Sequence, residues 1–243
     1  MTSKTILIVD DEIDLREILQ FDLEDRGYDT IMAEHGRAAF DIVQSHNVDL
    51  IVSDIRMPGG DGVYLLKKLR EEGLETLPLI FVSGFADLTL EDAYDLGVEA
   101  MLQKPLKSKD LAVRIEKALC PQNEKWAGTF DESMPKVIDR VFTSMEEALA
   151  SGNINFGRSG FFMRWERDFP RQGESLRFQI TFEKEDLVFE GVCDVRWVRS
   201  NLDHVKSTGI GAEFTVLNDA GRQYIAELLS RKSVIPTIPQ SAY

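Results

Sequence analysis

The chain has 243 residues, two cysteines and a formal charge of −14. That length suits one large domain or two small ones that bury their cores unaided, and Cys120 and Cys193 alone exclude a disulfide framework or a cysteine zinc site. Residues 1–119 hold 13 Lys/Arg against 24 Asp/Glu, leaving only −3 of the total charge for 120–243; such a chain repels nucleic acid, and the asymmetry points to two domains.

The opening MTSKTILIVDDE lacks the long apolar core and cleavage site of a secretory signal. No apolar run approaches the roughly 20 residues of a membrane span. The expectation is a soluble, cytoplasmic protein.

Residues 1–119 alternate strand and helix signals. Strands are expected at Thr5–Val9, Tyr28–Ala33, Asp49–Ser53, Leu79–Ser83 and Ala100–Leu102. Helical stripes lie between them: Leu15, Ile18, Leu19 and Leu23; Val63, Leu66 and Leu69; Leu111, Ile115 and Leu119. Asp11 and Ser108 sit where N-caps belong, and Gly27 and Gly73 where helices end. Five strands alternating with helices imply a doubly wound parallel sheet.

Residues 121–135 read as a linker, and a short helix is expected around Val137–Leu149. Farther on the pattern becomes antiparallel β, a small barrel or sandwich. Leu176, Phe178, Ile180 and Phe182 share one face of Ser175–Phe182. Phe189, Cys193, Val195 and Trp197 share one face of Val188–Arg199. Gly209–Phe214 is a further strand, and Asn218 caps a helix bearing Ile225, Leu228 and Leu229. Phe161–Phe162 puts at least one ring outward. The pair Arg167 and Arg171 reads as solvated loop, His35, His46 and His204 as bystanders, and 233–243 as a flexible tail.

In a parallel α/β sheet, ligands bind where the carboxyl ends of strands meet loops. Those ends here carry Asp10–Asp11, Asp54, Ser83 and Lys104–Pro105. Clustered carboxylates need a cation, and hard oxygen ligands suit Mg²⁺. A carboxylate such as Asp54 can act as nucleophile toward a phosphoryl donor, with Lys104 as the opposing point charge and Ser83 as a hydroxyl within the pocket.

With ILIVDDE at 6–12, SDIRMPGGDG at 53–62, FVSGFA at 81–86 and QKPL at 103–106, residues 4–119 resemble the receiver domain of two-component response regulators. The resemblance implies a flavodoxin-like fold with Asp54 as phosphoacceptor. It makes Asp10, Asp11, Asp54 and the backbone carbonyl of Arg56 the Mg²⁺ ligands, and Ser83 and Lys104 the phosphate-pairing residues. It implies a cis Lys104–Pro105 peptide, and Ser83, Met101 and Pro105 as switch positions. Met101 departs from the family, which carries an aromatic residue there. The implied partners are a cognate sensor histidine kinase and a second copy of the chain through about 89–119. The protein is then a phosphoacceptor, with at most self-catalysed phosphotransfer and dephosphorylation.

NINFGRSGFFM at 153–163, GESLRFQITF, FEGVCDVRWVR at 189–199 and TGIGAEF at 208–214 resemble a PilZ domain over about 136–232. That family is a small barrel that binds cyclic di-GMP. The corresponding positions are Lys136, Arg140, Asn153, Asn155 and Arg158, and they depart from the family's motifs. Lys136 stands for an arginine, Asn155 for serine, and Arg158 for glycine. The expected output is therefore a protein-interaction module, with a cyclic di-GMP receptor modulated by phosphorylation as the alternative. A strand-rich, slightly acidic second half argues against a DNA-binding output, and no nucleophile–base constellation after residue 120 suggests an enzyme.

Overall fold

A computed structural model describes residues 3–84, 88–121, 124–134, 136–200, 207–231 and 236–240. The chain divides into two compact units: Met1–Thr89 with Val98–Cys120, and Leu90–Gly97 with Pro121–Tyr243.

In the first unit the five expected strands form as β1 (Thr5–Val9), β2 (Asp29–Ala33), β3 (Leu50–Asp54), β4 (Leu79–Ser83) and β5 (Ala100–Gln103). They make one parallel sheet in the order β2-β1-β3-β4-β5. The near-continuous aliphatic runs of β1, β3 and β4 are buried, as strands covered on both faces must be. The helices are α1 (Ile13–Asp25), α2 (Gly36–Ser45), α3 (Gly62–Glu71) and α5 (Ser108–Leu119), with the short α4 (Leu90–Asp95) falling in the second unit. On α5, Leu111 and Ile115 are fully buried as the stripe requires. Gly27 and Gly73 have positive φ (86° and 78°) where α1 and α3 end.

Three readings of this half are corrected. The N-cap of α1 is Glu12, with no side-chain cap bond, so Asp11 is left for other use. That of α5 is Lys107; Ser108 is already helical and its hydroxyl donates to Asp22 at 2.7 Å. Ile18 is also not a core residue. It is 63% exposed while Leu23 is fully buried, because it lies at the border of the apolar stripe.

The second unit begins in the segment read as linker. Trp126 is buried in the core of this unit, edge-on to Phe214 at 5.5 Å, and its carbonyl accepts the N–H of Leu217 at 3.0 Å. The helix expected at Val137–Leu149 is instead strand β6 (Lys136–Phe142) followed by helix α6 (Met145–Ala150). Val137, Ile138 and Val141 favour the extended chain, and Ser144 caps α6 by accepting the N–H of Glu147 at 3.2 Å. The remaining strands are β7 (Ile154–Phe156), β8 (Gly160–Arg164), β9 (Ser175–Phe182), β10 (Leu187–Arg199) and β11 (Gly209–Leu217). They form a curled six-stranded sheet in the order β6-β9-β10-β11-β8-β7. The sheet is mixed, because β6 runs parallel to β9. In this pairing β6 and β7 are edges, so the sheet is a half-barrel. Asn218 accepts the N–H of Gly221 at 3.1 Å and starts α7 (Asp219–Arg231), whose Ile225 is fully buried.

The face of β10 breaks at one position. Phe189, Cys193 and Val195 enter the core, but the β10–β11 register shifts between Val195 and Trp197, putting Val195 opposite Ala212 and Trp197 opposite Gly211. An extra residue in one strand turns the following side chain to the other face. Trp197 therefore stacks on Phe162 (5.9 Å, 19°) on the far side of the sheet. Gly211 permits this, since a Cβ there would lie 2.0 Å from Trp197 Cε2. Gly211→Ala is expected to cost about 1–3 kcal/mol by overpacking, measured as a lowered urea midpoint.

Residues 236–240 are not the free tail the composition suggests. Thr237 and Ile238 are fully buried, and the carbonyls of Pro236 and Thr237 accept the N–H groups of Arg158 and Ser159 at 2.9 and 3.0 Å. His204 lies outside the described residues.

Candidate functional site

The strand order places β1 between β2 and β3, where successive crossovers leave in opposite directions. Such a switch point opens a crevice at the carboxyl ends of the strands. Asp10 follows β1 and Asp54 ends β3, so the fold itself delivers these residues to one place. Asp10, Asp11 and Asp54 each offer a carboxylate oxygen, and these oxygens lie within 4.8 Å of one another.

The Asp54 and Asp10 side chains are both held by hydrogen bonds. Asp54 Oδ1 accepts the backbone N–H groups of Ile55 (2.6 Å) and Arg56 (3.3 Å). Its Oδ2 accepts Lys104 Nζ at 2.7 Å. Asp10, with its side chain 4% exposed, receives the N–H of Glu12 on Oδ1 (2.9 Å) and Lys104 Nζ on Oδ2 (2.9 Å). Arg16 donates to the carbonyl of Asp10. Asp11 is exposed. Lys104 comes from the end of β5, where its N–H donates to the carbonyl of Ser83 at 2.8 Å. Ser83 is buried at the end of β4, opposite Gln103, and Met101 is half-buried opposite Phe81. The Lys104–Pro105 peptide is cis.

The floor of the site is set by Gly62 at the start of α3, whose N–H donates to the carbonyl of Ile55 at 2.9 Å. A Cβ at this position would lie 2.4 Å from the carbonyl oxygen of Asp54. Only glycine lets α3 begin so close to the acceptor strand.

The electrostatics are those of an anionic cup around the Lys104 ammonium. Burial opposes the charge on Lys104, but hydrogen bonds to Asp54 and Asp10 and their negative fields outweigh it and raise its pKa above the ordinary lysine value. One lysine facing three carboxylates leaves a formal charge of −2, which a divalent cation with oxygen ligands would cancel. The donor set thus fits Mg²⁺.

Beside the cup, a groove of about 500 Å³ runs between α1 and the start of α5, lined by Leu15, Ile18, Leu19, Phe21, Pro105 and Leu106. Ile13, Ile18 and Phe21 are 58%, 63% and 76% exposed. This surface was not read from the sequence. The only signal was an excess of large apolar residues on α1 beyond one core stripe.

Residues 6–116 match the response regulator receiver domain family. This part of the chain is a receiver domain. A probable transcriptional regulator from Cyanophora paradoxa is 34% identical over 120 residues, covering 49% of this chain and 49% of that protein. The response regulator MprA from Mycolicibacterium vanbaalenii is 29% identical over 208 residues, covering 76% of this chain and 90% of that protein. A crystal structure of a response regulator receiver protein from Pseudomonas putida is 30% identical and covers 48% of this chain and 98% of that one, with a TM-score of 0.45. The chain spans only about half the length of the first of these relatives.

The second set of sequence-derived residues does not converge in the same way. Arg158 is half-buried; its Nε donates to Thr237 Oγ1 at 3.0 Å and its Nη2 to the carbonyl of Gly97. Asn153 donates to Ser151 Oγ at 2.7 Å, and Asn155 is half-buried in β7. Arg140 is exposed, with its guanidinium 5.5 Å from the centre of the Trp165 ring. The side chain of Lys136 lies outside the described residues.

Proposed function

We propose that the chain is a response regulator of two-component signalling, phosphorylated on Asp54. The observation that carries this reading is the Asp54 carboxylate, fixed by two backbone N–H groups and by Lys104 and placed among Asp10 and Asp11. A carboxylate oxygen of Asp54 forms the new O–P bond as the P–N bond of a phosphohistidine on a sensor kinase breaks, and the departing imidazole takes a proton. Lys104 moves from pairing two carboxylates to pairing a phosphoryl oxygen. Ser83 Oγ donates to another phosphoryl oxygen, and half-buried Met101 follows it in place of an aromatic ring. Mg²⁺ held by Asp10, Asp11, Asp54 and the carbonyl of Arg56 would neutralise the charge on the phosphoryl oxygens.

The test uses the full chain with acetyl phosphate, with and without Mg²⁺, followed by mass analysis of the peptide containing Asp54. Phosphate on Asp54 only with Mg²⁺ supports the reading, and an unmodified Asp54 under both conditions sinks it.

The groove beside α1 is assigned to the kinase helix that carries the phosphohistidine. It lies next to the acceptor, and its exposed aliphatic and aromatic side chains suit the apolar face of a helix. Phe21→Glu is expected to slow transfer from the cognate kinase roughly tenfold or more, the size expected when an aromatic anchor is lost from an interface. Transfer from acetyl phosphate is expected to stay unchanged, because Phe21 does not touch the cup.

For the second unit the proposal is a PilZ-like half-barrel that acts as a protein-interaction module. Arg158, one of the residues a nucleotide cleft there would use, is spent on Gly97 and Thr237, which favours this over cyclic di-GMP reception. Calorimetric titration with cyclic di-GMP is expected to give no heat of binding; micromolar binding would reverse the assignment.

A further inference from the structure

The turn between β2 and α2 lies beside two of the segments that build the acceptor cup. The carbonyl of Ala33, which ends β2, accepts the N–H of Asp10 at 3.3 Å. On the other side, Gly36 starts α2 against the loop between β3 and α3, and its N–H donates to the carbonyl of Gly60 at 2.7 Å. This contact is backbone on backbone: a Cβ on Gly36 would lie 2.8 Å from the carbonyl oxygens of both Gly60 and Asp61. Between Ala33 and Gly36 stands His35, read from the sequence as a bystander. It is half-buried and is the N-cap of α2, its Nδ1 accepting the N–H of Ala38 at 3.1 Å.

Capping alone does not need an imidazole. Asn, Asp, Ser and Thr are the better N-caps, since a short side-chain oxygen reaches the first-turn N–H groups. The ring has a second contact, with Gly59. A Cβ on Gly59 would sit 3.0 Å from His35 Cδ2 and 3.2 Å from Cγ, so ring and loop backbone touch. This stretch of loop needs support. Gly59 and Gly60 have φ of 85° and 125°, and glycine surrenders more backbone freedom on ordering than any other residue. Ile55 and Met57, 4% and 6% exposed, anchor the earlier part of the loop, but the glycines have no side chains to pack. Residues of α2 and its cap supply the contacts instead. The stem of Arg37 lies against Gly60, where a Cβ would be 3.1 Å from Arg37 Cγ, and its guanidinium is 5.7 Å from the centre of the Tyr64 ring of α3.

We propose that His35 is a positioning residue of the acceptor cup: its ring braces Gly59–Gly60 and so fixes the loop that offers the carbonyl of Arg56, three residues before Gly59, to the cation. The cation half of the proposal rests on the reading of the cup as a Mg²⁺ site. Mg²⁺ demands near-ideal octahedral geometry from its oxygen ligands, so a loop that wanders gives up affinity even when every ligand is present. Groups standing behind the ligands matter to metal binding for this reason. The two jobs of His35 use opposite edges of the ring, Nδ1 for the cap and the Cγ–Cδ2 edge for the loop. Substitutions can therefore separate them.

The experiment compares wild type, His35→Asn and His35→Phe in the full chain, by amide hydrogen exchange without divalent cations and by calorimetric titration with Mg²⁺. Asn keeps a cap acceptor and discards the ring; Phe keeps a ring beside Gly59 and discards the acceptor. His35→Asn is expected to exchange like wild type over 36–45 and faster over 55–62. It is expected to bind Mg²⁺ roughly tenfold more weakly, the lower end of the loss when a group behind a metal ligand is removed. His35→Phe is expected to show the reverse, with faster exchange over 36–45 and with 55–62 and Mg²⁺ affinity near wild type. A general loss of stability would move both segments together and cannot produce this crossed pattern. Wild-type Mg²⁺ affinity and wild-type exchange over 55–62 in His35→Asn overturn the brace and leave the reading of the cup intact. Equal weakening of Mg²⁺ binding by Asn and Phe assigns the effect to the cap and overturns the brace as well. No heat of Mg²⁺ binding from wild type overturns the Mg²⁺ reading of the cup and the positioning role with it.

Discussion

Asp54→Asn is expected to abolish phosphoryl acceptance completely while leaving the chain folded and slightly more stable in buffer without divalent cations. The amide keeps a carbonyl oxygen for the N–H groups that Asp54 Oδ1 now receives from Ile55 and Arg56, so the turn after β3 keeps its geometry. It supplies no anionic oxygen to attack phosphorus. The stability change has the opposite sign because Asp10, Asp11 and Asp54 crowd around a single ammonium, that of Lys104. Removing one of three crowded negative charges relieves repulsion, and the gain is put at about 1 kcal/mol, the size of one exposed-to-half-buried charge interaction. Mass analysis after acetyl phosphate and Mg²⁺ tests the first part, and urea unfolding without Mg²⁺ tests the second. Phosphate still carried by the Asp54→Asn variant would place the acceptor elsewhere. A large loss of stability would mean that Asp54 is chiefly a structural partner of Lys104.

The acceptor cup was legible in the sequence because it is built from strand ends. Once aliphatic runs are read as strands of one parallel sheet, Asp10, Asp11, Asp54, Ser83 and Lys104 fall at the same edge whatever their separation along the chain. The second unit was less legible. The alternation of β9 identifies its inner face directly, with Leu176, Phe178, Ile180 and Phe182 all buried. In β10 the same reading carried Trp197 to the wrong face, because a one-residue bulge leaves no mark in hydropathy. The helix expected over Val137–Leu149 failed for a related reason. β6 gains its ladder from β9, some forty residues later, and no local period records a parallel partner. Trp126, in a segment rich in turn-forming residues, is held by partners far along the chain, edge-on to Phe214 and bonded through its carbonyl to Leu217, and the ion pair of Glu91 with Arg199 joins residues 108 apart.

Lys104→Ala is expected to have the largest effect on stability of any change in the cup. Lys104 Nζ is the shared donor to Asp54 Oδ2 and Asp10 Oδ2, whose side chains are 12% and 4% exposed. Taking one partner out of a buried ion pair strands the other, and here two carboxylates lose the same partner. The expected loss is about 3 kcal/mol in the absence of divalent cations. Because the lysine pKa is raised in the folded protein, its contribution is fully present below the unfolded-chain value of 10.5 and fades only as pH rises through the higher folded value. Wild type and variant should therefore differ by the full amount at neutral pH and converge only above about pH 10.5. Millimolar Mg²⁺ should recover much of the loss at neutral pH, since a divalent cation with oxygen ligands replaces the missing charge among the same carboxylates. Urea midpoints at neutral and strongly alkaline pH, each with and without Mg²⁺, decide the matter. A variant as stable as wild type in Mg²⁺-free buffer would show that the cup tolerates its own negative charge, and Lys104 would then matter only to the phosphoryl group.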